Sequence, residues 1–238
     1  MKKVFTPKYL PWLPIGAGIL GLALRLWLYS LRDAGKLLPE DHIAAVLLFL
    51  LTGLTLAALF LCVRSIPQQG SFSQRFRPSL WGSIGNLAAA GGLLLWCIIE
   101  FISAEDIFSR ICLPFGAVSA VCLALAGIRR FRGSVPSFAG CCLVTVYMMV
   151  HAISQCRGWG SEPQLMHYCF QLLASIFVMI TAFQRAALTL DRGDYRWFTF
   201  VSQAAVFFCC LSLNTENALF YLCVGIWSAA DLCNFQEE

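Results

Sequence analysis

Arg25, Glu100, His151, Gln155, His167 and Gln171 are the residues of this 238-residue chain whose types and spacing could do chemistry. All six lie inside or at the ends of long apolar stretches, where an ionisable or hydrogen-bonding side chain is costly and marks a candidate ligand-binding site. His151 with Gln155, and His167 with Gln171, stand four residues apart, which puts each pair on one helix face. A guanidinium among these groups suits an anionic ligand. A Glu100, His151 and His167 cluster would suit metal binding or water activation, although no local motif supports it. Arg25 is expected to pair with Glu100, leaving the two histidines around a polar pocket that opens outward. Arg110 and Asn214 fall at the same level. The competing expectation is scattered interfacial polarity, because Glu100, Arg110, His167 and Asn214 are near enough to helix ends to be solvated or to snorkel.

A second polar set, Asn86, Gln184, Gln203 and Asp231, falls toward the opposite ends of the stretches. The three amides are expected to make interhelical hydrogen bonds. Asp231 is expected to pair with Arg185 or with an arginine of an inner loop.

The usual catalytic signatures are missing. The chain has no G-x-S-x-G, H-E-x-x-H or G-x-x-x-x-G-K-[ST]. The 12 cysteines show no C-x-x-C spacing and only three histidines accompany them, so neither a metal ion nor any other cofactor is expected. Most of the thiols sit in apolar stretches, where cysteine behaves as a small hydrophobe. Cys156 and Cys169 face each other across a short loop and are a candidate disulfide in an oxidising exterior, with separate free thiols the alternative.

The elements that must position these residues follow from hydropathy. Hydrophobic residues make up 59% of the chain and charged residues 13%, and mean hydropathy is +0.73. Soluble domains are about a quarter charged. In hydrocarbon a backbone must satisfy its own polar groups, and runs of about twenty residues, apolar on every face, do so as helices. The fold class is therefore an all-α polytopic membrane bundle in one domain, residues 1–238. Eight spans are read at Leu10–Leu31, Ile43–Val63, Ser79–Ile102, Ile107–Ile128, Val135–Gln155, Leu165–Leu190, Trp197–Leu213 and Ala218–Phe235. The last two are the shortest, and seven spans is the alternative. Short loops predict antiparallel hairpins 1–2, 3–4, 5–6 and 7–8. The small residues of the third and fourth spans, from Gly82 to Gly92 and at Gly116, Ala120 and Ala124, predict a central position for both. The basic amino terminus with a long first span is read as a retained helix rather than a signal peptide.

Basic residues set the orientation. Lys2, Lys3, Lys8, Arg64, Arg75, Arg77, Arg129, Arg130, Arg132, Arg185, Arg192 and Arg196 collect on one side, against Arg32, Lys36, Arg110 and Arg157 on the other. Both termini are therefore expected in the cytoplasm. The location read from this is a plasma membrane, and the compact chain without an N-x-[ST] sequon points to a bacterial inner membrane. The net charge of +4 is accounted for by topology and by attraction to anionic headgroups, so nucleic acid is excluded as a partner. Membrane lipids are expected partners, as are a small-molecule or anionic ligand and a partner membrane protein or second copy. Three function classes fit: binding or transport of a small molecule or lipid through the outward pocket, a sensor or assembly partner without chemistry of its own, and a membrane-embedded hydrolase acting on lipid.

Overall fold

Apolar runs that must pair their own backbone groups become helices, and in the computed structural model eight of them form. It describes residues 12–31, 42–64, 80–103, 107–159 and 165–232, with no strand among them. The helices are α1 (Trp12–Ser30), α2 (Ile43–Val63), α3 (Leu80–Ser103), α4 (Ile107–Phe131), α5 (Phe138–Trp159), α6 (Leu165–Thr189), α7 (Tyr195–Leu211) and α8 (Ala218–Leu232). The first six are long and apolar enough to cross a membrane, which makes the chain a multi-pass membrane protein. The loop 65–79, with Arg75 and Arg77, lies outside the described residues.

Local chemistry sets the ends. Val135 precedes Pro136, which disfavours helical backbone, so α5 begins at Phe138 rather than at Val135. Asp194 caps α7, its carboxylate accepting from the amides of Arg196 at 2.9 Å and Trp197 at 3.3 Å, and the helix starts two residues earlier than its apolar run suggests. Gly133, at φ 71°, closes α4. Its amide donates to the Arg130 carbonyl at 3.1 Å and the Ser134 amide to the Arg129 carbonyl at 2.8 Å. This is a Schellman turn, which needs a residue in the left-handed region, and it fixes where Arg129 and Arg130 stand.

All four expected hairpins form, since α1 packs on α2, α3 on α4, α5 on α6 and α7 on α8. The centre is not where the small residues suggest. It belongs to α7, which contacts α1, α2, α6 and α8 and buries Phe198, Thr199, Ser202, Gln203, Phe207 and Phe208. The expectation that α3 and α4 occupy the centre is therefore corrected. Small residues report close approach to one neighbour, whereas a central helix is covered on every side. Close approach is present: a β-carbon at Gly85 would stand 2.5 Å from the Ala230 β-carbon on α8, and one at Gly116 would stand 2.6 Å from the Cys97 sulfur on α3. At 1.5 Å per residue α7 is about 25 Å long and α8 about 22 Å, both less than the ~30 Å of hydrocarbon. Neighbouring helices cover α7, so it need not match the bilayer.

Candidate functional site

The outward set divides. Arg25, in α1, is buried, and its guanidinium donates to the Leu211 carbonyl at 2.5 Å and lies 5.6 Å from the ring centres of Tyr29 and Phe170. Leu211 ends α7, where the last carbonyls lack intrahelical donors and carry the negative end of the helix dipole. The expected Arg25–Glu100 pair does not form. The main neighbours of α1 are α2 and α7, those of α3 are α4 and α8, and Glu100 is within electrostatic reach of Glu216 instead. Arg25 thus meets a helix terminus rather than Glu100.

His151 is buried in a box of rings, with centroids 5.1 Å from Trp96, 6.0 Å from Tyr147 and 4.0 Å from Phe220. Its Nε2 finds no hydrogen-bond partner among the described residues. Gln155 accepts from Tyr221 at 2.8 Å and from Ser175 at 3.2 Å, and Tyr221 also donates to the backbone carbonyl of Gln171 at 3.3 Å. Tyr221, which the sequence reading did not single out, therefore links the Gln155 side chain to the Gln171 backbone. Arg110 is exposed and Asn214 half-buried, and the side chain of His167 lies outside the described residues. No three His, Cys, Asp or Glu side chains gather as a metal site among the described residues. Cys156 and Cys169 are not joined, so the candidate disulfide is not formed.

The inner set converges more tightly. Asp231 of α8 is wholly buried between two arginines, with Arg130 of α4 at 2.5 Å and Arg185 of α6 at 2.9 Å. Asp231 therefore takes both of its expected kinds of partner at once. Even-numbered helices all end at this face, as alternating antiparallel spans require. Burying one acid with two bases leaves a positive charge out of water, which is costly without further partners. Arg185 also lies 5.4 Å over the Trp227 ring, a cation–π contact. Its Nη1 contact to Asp231 is an ion pair that lacks hydrogen-bond alignment. Asn86 departs from expectation, because its amide donates to the Gly82 carbonyl of its own helix at 2.9 Å rather than to another helix. Interior hydroxyls of Thr199 and Ser228 likewise bond back to carbonyls one turn earlier, each at 2.9 Å.

Beside this triad is a cavity of about 210 Å³. Leu123, Val144 and Ala182 form apolar walls, Leu125 and Leu143 stand at the outer rim, and Arg129, Arg185 and Trp227 form the polar end. The Arg185 Nε–H and the Trp227 Nε1–H are both buried and without a hydrogen-bond acceptor among the described residues. Buried donors are rarely left so. Two residues with orphaned donors thus line this hollow, beside a cluster that among the described residues holds two guanidiniums and one carboxylate.

Comparison of the chain with protein-family models, curated proteins and solved structures finds no match.

Proposed function

We propose that this membrane protein binds an anionic small molecule or headgroup of the phosphate type in the cavity between α4, α5 and α6, on the face that the positive-inside rule assigns to the cytoplasm. The observation that carries the reading is that Arg185 and Trp227, whose buried Nε and Nε1 donors lack acceptors among the described residues, both line one cavity beside a two-arginine, one-aspartate cluster. An anion there would accept from both donors and offset the buried surplus charge, so ligand binding would stabilise the fold by mass action. The apolar walls would take the methylene groups of the same molecule.

The test is the melting temperature of the full chain in neutral detergent as dodecyl phosphate is added, with sodium chloride as the ionic control. A saturable rise supports the reading. Arg129 is exposed and outside the triad, so Arg129→Gln should leave the fold intact. It should weaken half-saturation roughly 10- to 100-fold, the equivalent of one charge-assisted hydrogen bond of about 1.5–3 kcal/mol. No rise beyond the salt control would overturn the proposal.

A second reading keeps the outward pocket, with Arg25, Glu100, His151, Gln155, His167 and Gln171 lining a transport route for a small molecule. The observation favouring it is the unpartnered, buried His151 Nε2. His151→Phe separates the two: it would impair an outward substrate site and leave the dodecyl phosphate response unchanged.

A further inference from the structure

Resting on the proposed anion site, we infer that its occupant is a membrane lipid with a phosphomonoester headgroup, bound with its chain leaving sideways between α4 and α5. Two observations point there. The first is the shape of the opening. Leu125 and Leu143 line the cavity and are also 53% and 43% exposed, so the hollow opens where α4 and α5 face hydrocarbon. A water-soluble anion has no use for an apolar side door; a lipid chain does. The cavity, at about 210 Å³, falls short of the ~300–1,000 Å³ of pockets that enclose a whole small molecule. A headgroup and its first carbons fit against Val144, and the remaining chain stays in the bilayer along Leu125 and Leu143.

The second observation is charge. Among the described residues, Arg129, Arg130 and Arg185 against the carboxylate of Asp231 leave two positive charges at the polar end. A phosphomonoester carries roughly −1.5 to −2 at neutral pH, which matches that surplus, whereas a phosphodiester carries one negative charge. Arg185 and Trp227 supply N–H donors and Arg129 a further guanidinium at the rim. Arg129 and Arg130 lie in the last turn of α4, the depth of the headgroups on the arginine-rich side, and Arg185 stands four residues before the end of α6.

The experiment follows melting curves of the full chain in neutral detergent with dioleoyl phosphatidate, dioleoyl phosphatidylglycerol or sodium phosphate added. Phosphatidate is expected to half-saturate at a concentration at least tenfold below that of phosphatidylglycerol. Leu143→Trp, or Leu125→Trp on the opposite side of the opening, should weaken phosphatidate at least tenfold while leaving the response to sodium phosphate unchanged. Both positions are lipid-exposed, and the melting temperature without additive reports whether each variant folds. Equal potency of the two lipids would overturn the charge match. Sodium phosphate acting as strongly as phosphatidate, with both Trp variants silent, would make the occupant a soluble anion and end the lipid inference while the anion site stands. No response to any of the three would remove both.

Discussion

Replacing Asp231 with Asn removes the carboxylate that Arg130 and Arg185 share and leaves two buried guanidiniums side by side. Unit charges about 4 Å apart interact by about 4 kcal/mol at an effective dielectric constant near 20. Two attractions of that order vanish, and the repulsion between the arginines remains. Relief of the buried carboxylate's desolvation and the hydrogen bond that Asn can still accept offset part of this. The expected net loss is about 3–5 kcal/mol, the usual cost of breaking a buried ion pair from one side. For a chain of this length that is a fall in melting temperature of roughly 6–20 °C, read from tryptophan fluorescence in neutral detergent. The triple change Arg130→Met, Asp231→Leu, Arg185→Met removes all the charge together and is expected to restore most of the loss. A single variant that melts within about 2 °C of the parent, or a triple variant as unstable as the single one, would refute the claim that charge balance joins α4, α6 and α8.

Three other outcomes follow from the geometry. Arg25→Leu removes the donor to the Leu211 carbonyl and should cost about 1.5–3 kcal/mol, the worth of a hydrogen bond from a charged donor, with Arg25→Lys recovering part of it in the same melt. Gly85→Ala should destabilise by about 1–3 kcal/mol, because its β-carbon meets Ala230 at 2.5 Å. Gly91→Ala, with nothing within 4 Å, should be neutral or slightly stabilising. Cys156 is exposed and free, so a membrane-impermeant maleimide should label it without prior reduction, and a Cys156→Ser variant should lose that label.

Hydropathy made the helices legible because the bilayer leaves a backbone few options, and α2 matches its expected bounds residue for residue. End chemistry was legible too, at Pro136, Gly133 and Asp194, although apolar patterning alone misplaces the starts of α5 and α7. What the sequence hid was which helix is surrounded. The polar face of α7, Thr199, Ser202 and Gln203, was the available signal: such a face is satisfied by protein more readily than by lipid. The glycines of α1 were a second signal, since a β-carbon at Gly18 would stand 2.6 Å from the Cys210 β-carbon. Depth along a helix placed Asp231 near Arg185 correctly. It misplaced Arg25, because equal depth does not make α1 and α3 neighbours and because a carbonyl at a helix end attracts a guanidinium as a carboxylate does. The cavity at Arg129 and Trp227 had no signal in the sequence at all, being created by the crossing of α4, α5 and α6.

The central claim, an anion held at the inner cavity, is tested most directly by a high-resolution cryo-electron-microscopy map of the full chain extracted with its native lipids. The account expects density in the cavity within hydrogen-bond distance of Arg185 Nε and Trp227 Nε1, continuing between Leu125 and Leu143. A cavity holding only water, or collapsed so that protein groups accept from both donors, would contradict it.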